Sequence, residues 1–207
     1  MSGAGCFVVL EGPEGAGKST LASELAVRAR EAGVTMTAVR EPGGTPAGEA
    51  ARRILLDHAS PVGAEAELFL VLAARAELVA RVIRPALEAG HLVLADRFDL
   101  STYAYQVVGR QLPAEAVASA NKLATGGLAP DLTLVLDVAP GTGRGRQQAA
   151  GKVTDRLDDE DPAFHARVAE AYLAVRARGV RHLDANRSPA EVANEAWDAI
   201  RQAGGFA

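Results

Sequence analysis

Gly12, Gly17, Lys18 and Ser19 fill the pattern G-x-x-x-x-G-K-[ST] within the stretch "GPEGAGKST". Roughly one chain of this length in a hundred carries those letters by chance. Here an apolar run, "CFVVL", precedes them and a helical spacing, "LASELAVRARE", follows, which is the context a phosphate-binding loop needs. Gly15 and Gly17 let the backbone curl so that its N–H groups converge, and the start of the following helix adds the positive end of its dipole. Lys18 is placed to reach β- and γ-phosphates, and the Ser19 hydroxyl to coordinate Mg²⁺. Gly12, Pro13, Glu14, Gly15, Ala16, Gly17, Lys18, Ser19 and Thr20 are therefore read as the binding loop for a nucleoside triphosphate, ATP.

Residues elsewhere say what the triphosphate is used for. A guanine-specific switch requires N-K-x-D, and the chain has "NKLA", with Ala124 in place of the aspartate. A hydrolytic motor ends its second nucleotide strand in Asp-Glu; this chain has "LVLADRF", so Asp96 is followed by a cation, Arg97. Asp96 can hold Mg²⁺ together with Ser19 while Arg97 points at a second phosphate, the arrangement of phosphoryl transfer between two nucleotides. Asp137, at the end of "LTLVLD", lacks a neighbouring arginine and reads as structural or helix-capping.

Elements must hold these groups together. The 207 residues suffice for one domain with a sizeable core. A net charge of −4 argues against a general nucleic-acid or membrane surface. The single cysteine, Cys6, suits a reducing cytoplasm and reads as a small core residue, and neither a signal peptide nor a membrane span is expected. Five apolar runs, "CFVVLEG", "TMTAVRE", "HLVLADR", "LTLVLDV" and "VRHLDA", alternate with helical stretches at 20–33, 46–58, 64–90, 113–127, 161–179 and 188–204. That alternation predicts an α/β fold, a parallel sheet covered on both faces.

The motifs "EGPEGAGKST", "REPGGTPAGEAAR", "AAR" at 73–75, "DRFDLSTYAYQ", "PDLTLVLDV" and "DRLD" run along most of the chain in one order. In that combination the sequence closely resembles the thymidylate kinase family, bacterial type. The resemblance implies a P-loop NTPase fold with a five-stranded parallel sheet of order 2-3-1-4-5 in three α/β/α layers. It further implies one kinase domain over 1–207 with a lid at about 141–160, and Mg-dependent transfer of the ATP γ-phosphoryl group to dTMP by a cytoplasmic homodimer. Carried over residue by residue, Arg52 and Arg97 grip the dTMP phosphate and Arg75 meets the thymine edge. Glu41 and Glu14 lie near the deoxyribose and the metal, Thr102 and Gln106 at base-contacting positions, and Tyr105 fills the space of a ribose 2′-OH.

Two departures stand out. The family places a phenylalanine four residues before the arginine of the long helix; this chain has Val71 there, while Phe69, roughly 200° around the helix, reads as core. The lid reads "GTGRGRQQAAGKVTDRLDDEDP", with "QQAA" where more arginines are expected. Among Arg144, Arg146, Lys152 and Arg156, Arg146 is the choice for the transferring phosphoryl group and Arg156 for ATP, and the acid run "DDEDP" reads as a solvated helix start. Readings left beside the kinase are another P-loop kinase of nucleotides or deoxynucleosides, and a switch-like ATPase.

Overall fold

Each of the five apolar runs forms a strand in a computed structural model, which describes residues 5–139, 141–149, 151 and 153–204. The strands are β1 (Cys6–Glu11), β2 (Met36–Arg40), β3 (Leu92–Asp96), β4 (Leu132–Asp137) and β5 (Val180–Asp184). They lie in the order β2-β3-β1-β4-β5, every neighbouring pair parallel. The order expected from the resemblance, 2-3-1-4-5, is the one observed. Register then sets the site: Leu10 pairs with Asp96, Arg40 with Asp96, and Glu11 with Val135, so the loops after β1, β2 and β3 leave the same edge.

Alternation along β1 splits the core. Cys6, Val8 and Leu10 face α1 (Lys18–Glu31) and α9 (Pro189–Gly204), where Leu21, Leu25, Trp197 and Ile200 cover them. Phe7 and Val9 face the other way, against Leu78, Val79, Ile83 and Phe98. Both faces of the central strands are sealed, which is why their runs are apolar throughout rather than alternating with polar residues.

The stretch 64–90 is helical from 64 to 88, but not uniformly. α3 (Ala64–Leu78) widens into a π-helical turn at Val79–Ile83 before α4 (Arg84–Glu88). Pro85 has no N–H to give and its ring crowds the carbonyl four residues back, so the wider turn falls where an α-helical bond would have been lost. Phe69 is not core: it is 64% exposed, because it sits a 100° step from the Leu68, Leu72 and Arg75 stripe that faces inward.

Apolar periodicity does not announce the helix that follows β3. α5 (Asp99–Thr102) continues as a π-helical stretch, Tyr103–Gly109, through aromatic and β-branched residues of modest helix propensity. Tertiary packing holds it: Ala104 and Tyr105 pack with Val168 and Tyr172 of α8 (Pro162–Ala174), and a Cβ on Gly109 would come within 2.6 Å of the Phe164 ring. α2 (Pro46–Leu56) and α6 (Ala114–Thr125) both pack against α3.

The run "DDEDP" is only partly the solvated helix start it suggests. Asp161 caps α8 by accepting from Phe164 N at 2.7 Å. Asp158, however, is buried and accepts from Asp155 N, and Glu160 pairs with Arg110 at 2.5 Å. Asp137 is bound to His182 at 3.0 Å, a structural contact.

Candidate active site

At the carboxyl edge of the sheet the loop after β1 has Gly12, Gly15 and Gly17 at φ 134°, 69° and 99°. These are conformations that side chains resist, and at Gly12 a Cβ would also stand 2.7 Å from Leu136 O. α2 and α8 begin with side-chain caps from Thr45 and Asp161, whereas α1 begins at Gly17 with none. Its first N–H groups are thus left for an external anion. Ser19 Oγ donates to Asp96 Oδ2 at 3.2 Å. Two ligands at about 2.1 Å on adjacent corners of an octahedron stand roughly 3 Å apart, so the pair fits one small hard cation.

Lys18 Nζ donates to the carbonyls of Gly12 and Pro13, each at 2.9 Å. Burial, then the nearby Arg97 charge, push its pKa down to about 7, against the pull of Asp96, Glu11 and Glu14. A bound triphosphate favours the ammonium, so the complex holds more protons than the free loop above that pH. ATP affinity is therefore expected to be flat below about pH 6 and to fall by up to about tenfold per unit above pH 7. Calorimetric titration at pH 8 in buffers of different ionisation enthalpy should register proton uptake; none at all would contradict a depressed Lys18.

Arg97 turns the chain at the tip of β3 with φ 76°, a strained value of about 1–3 kcal/mol for a residue with a side chain. The turn brings its guanidinium over the phosphate loop. Nη1 lies 3.4 Å from Gly12 O and donates to Ser101 Oγ (3.2 Å) and Tyr172 OH (3.0 Å). Nη2 reaches Tyr105 OH at 3.3 Å and Glu14 at 3.8 Å. Burial alone would lower its pKa, but Tyr105, Tyr172, Glu14 and Glu11 hold the cation well protonated.

Glu11 organises this corner and was given no role by sequence reasoning. Fully buried, it accepts from Phe98 N and Ser101 N at 2.8 and 3.0 Å, from Ser101 Oγ at 2.6 Å and from Tyr172 OH at 3.0 Å. The signal was a charged residue closing an apolar strand. Its partners lie too far along the chain for spacing to reveal them.

A cavity of about 650 Å³ extends from the phosphate loop toward α3. Glu14, Gly15, Gly17, Lys18, Ser19 and Thr20 line its loop end, and Asp96 and Arg97 its sheet end. Glu41, Arg52, Val71, Arg75, Thr102, Tyr105 and Gln106 also line it, as do Leu55, Leu56 and Leu157. Val71, at the position of the family phenylalanine, is an aliphatic lining residue of this cavity.

Arg75 is 1% exposed and all five of its N–H groups are taken. Nε and Nη2 donate to Glu41 Oε2 (2.7 and 2.6 Å), Nη2 also to Phe98 O, and Nη1 to Thr102 Oγ1 and Asn121 Oδ1. A base meeting Arg75 must displace or share one of these acceptors. Glu41 Oε1, by contrast, is buried without a hydrogen-bond partner. Burial raises the Glu41 pKa despite Arg75, and a donor arriving in the cavity would satisfy that oxygen. Arg52 is half-buried with Nη1 on Pro42 O at 2.9 Å.

The segment 141–160 contains α7 (Thr142–Ala149), whose first turn sits directly on the phosphate loop. A Cβ on Gly143 would come within 2.1 Å of Glu14 O, and one on Gly15 within 2.0 Å of Gly143 O. Gln147, from the "QQAA" that replaces expected arginines, donates to Glu14 Oε2 at 3.3 Å. Arg146 lines the cavity and donates to Ala185 O at 3.0 Å. Arg156 is tied to α2 and α3 through Leu55 O (2.9 Å) and Glu67 Oε2 (2.7 Å). Lys152 and the Arg144 side chain lie outside the described residues.

A sequence profile described as Thymidylate kinase matches residues 10–196. The chain belongs to the thymidylate kinase family. It is similar to the thymidylate kinase of Ectopseudomonas mendocina (strain ymp), 47% identical over 192 residues and 91% of each chain. Those of Pseudomonas putida (strain W619) and Synechococcus sp. (strain JA-3-3Ab) are 46% and 45% identical, covering 94% of this chain and 95% of theirs. Membership carries the activity of the family, that of a dTMP kinase, a phosphotransferase. In this thymidylate kinase one cavity joins the loop to the Asp96–Arg97 strand tip.

Proposed function

We propose that this cavity seats ATP and dTMP with their phosphates end to end, and that the residues lining it divide the work between the two nucleotides. The loop amides from Gly12 to Thr20 and Lys18 hold the donor phosphates; Arg97 and Arg52 grip the acceptor phosphate. Thr102, Gln106 and Arg75 meet the base edge against Val71, while Tyr105 and Glu41 bound the sugar. Mg²⁺, held by Ser19 and Asp96, would supply charge neutralisation between the phosphates. Arg146 on α7 serves the transferring group as segment 141–160 closes as a lid, whereas Arg156, bound to Leu55 O and Glu67, is engaged by α2 and α3 and is not assigned to ATP. The observation that most supports this division is the Arg97 guanidinium 3.4 Å from Gly12 O, a second phosphate's cation overhanging the first phosphate's loop.

Transfer of this kind is mainly positioning and charge neutralisation, so the protein gains most by fixing Arg97 and Lys18 before substrate arrives. Tyr172, Ser101 and Tyr105 provide that for Arg97. A homodimer is supported by the apolar side chains Phe69 and Leu123, 64% and 85% exposed on the neighbouring helices α3 and α6. Among the described residues no helix is long and apolar enough to cross a membrane, and a cytoplasmic location is part of the same reading.

ADP release with ATP and Mg²⁺ should be slow alone and rise at least about a hundredfold when dTMP is added. The thymine methyl contributes only about 1–3 kcal/mol, so dUMP should be a poor acceptor rather than an excluded one. Preference for dCMP, AMP, GMP or thymidine would replace this reading with another kinase, and indifference to every acceptor with a switch-like ATPase.

A further inference from the structure

Glu67, in the first turn of α3, has no exposed surface and stands in the cavity wall, yet none of the roles above uses it. Its Oε1 accepts from Gln106 Nε2 at 2.9 Å and from Arg110 Nε at 3.1 Å. Oε2 accepts from Arg110 Nη2 at 2.9 Å and Arg156 Nη2 at 2.7 Å. Burial pushes its pKa up, but the hydrogen bonds from Arg110, Arg156 and Gln106 outweigh burial and hold it below the usual carboxylate range.

An ionised carboxylate has no proton to give, so the end of the Gln106 amide turned toward it must be the NH₂. The chemistry of its partner therefore settles the orientation of this amide. Its carbonyl oxygen is turned away from Glu67, and among the described residues no protein donor reaches it. Gln106 is 3% exposed and lines the cavity.

We propose that Glu67 is a specificity-determining positioning residue. By taking the Gln106 NH₂, it leaves the carbonyl oxygen of that amide as the group a nucleobase meets. The acceptor is thereby selected for an N–H at the N3 position of its base. Thymine and uracil carry one at N3; cytosine presents a lone pair there, and two acceptors facing each other in a dry pocket leave both unsatisfied. This deepens the reading above and rests on its placement of the base beside Gln106.

The experiment compares kcat/KM for dTMP and dCMP in the wild type, Glu67→Gln and Gln106→Leu. A neutral amide at position 67 can accept or donate, so Gln106 is released to present either end. The dTMP:dCMP ratio in Glu67→Gln should fall at least about tenfold, with dCMP improving in absolute terms. An unchanged ratio, or equal losses for both nucleotides, overturns the proposal. If Gln106→Leu keeps the wild-type ratio, it is the placement of the base that has failed, and the proposal falls with it. Should Glu67→Gln not fold, the wild type still decides: the Gln106 side-chain NH₂ protons should exchange slowly by NMR with dTMP bound. Exchange as fast as in a solvent-exposed glutamine overturns the assignment.

Discussion

Arg97→Met should lower kcat with dTMP by about 10³-fold or more while leaving the KM for ATP within a few fold. The guanidinium is a cation in a largely dry corner, 16% exposed at the side chain, where its attraction to phosphate is little screened by water. It is also aimed in advance, because Ser101, Tyr105 and Tyr172 hold its nitrogens and Glu11 holds Ser101 and Tyr172 in turn. Arg97→Lys should recover little, since an ammonium keeps the charge but cannot span those partners and a phosphate together. Steady-state kinetics with each substrate varied would test this. A loss confined to KM for ATP would place Arg97 on the donor instead.

Gly143→Ala should cost about 10²-fold in kcat without a matching loss of thermal stability. The substituted Cβ would stand 2.1 Å from Glu14 O, a backbone atom of the phosphate loop, so neither partner can yield by rotating a side chain. The first turn of α7 must therefore lift, carrying Arg146 and Gln147 away from the loop. A displacement of about 1 Å in a positioning element is enough for a loss of that order. Gly145 is the control, since a Cβ there would meet nothing within 4 Å: Gly145→Ala changes the same helix without touching the loop. Comparison of kcat and unfolding temperature for the two variants reads the contact directly. Equal, small effects would mean that the seat of α7 on the loop is immaterial to transfer.

Much of the scaffold was legible because it is local. Each apolar run became a strand, since a strand buried on both faces needs several consecutive apolar residues and little else. The phosphate loop was legible for a similar reason: its signature glycines, lysine and serine fall within eight residues. Helix 99–109 was not, because its residues resist regular helix and only packing on α8 holds them. Phe69 misled because an apolar residue in an apolar helix gives no sign of which face a neighbour will cover.

The family resemblance named Arg75, Arg97, Tyr105 and Gln106 without showing what holds them. The Glu11–Tyr172 bond joins residues 161 positions apart, and Gln106 meets Glu67 across 39. From its letters alone the chain determined a parallel α/β sheet, a triphosphate loop and a cation at the next strand tip. The tertiary structure alone decided which side chains hold that cation and which carboxylate the Gln106 amide meets. Local sequence sets backbone preference and burial, whereas orientation comes from partners that only folding brings within about 3 Å.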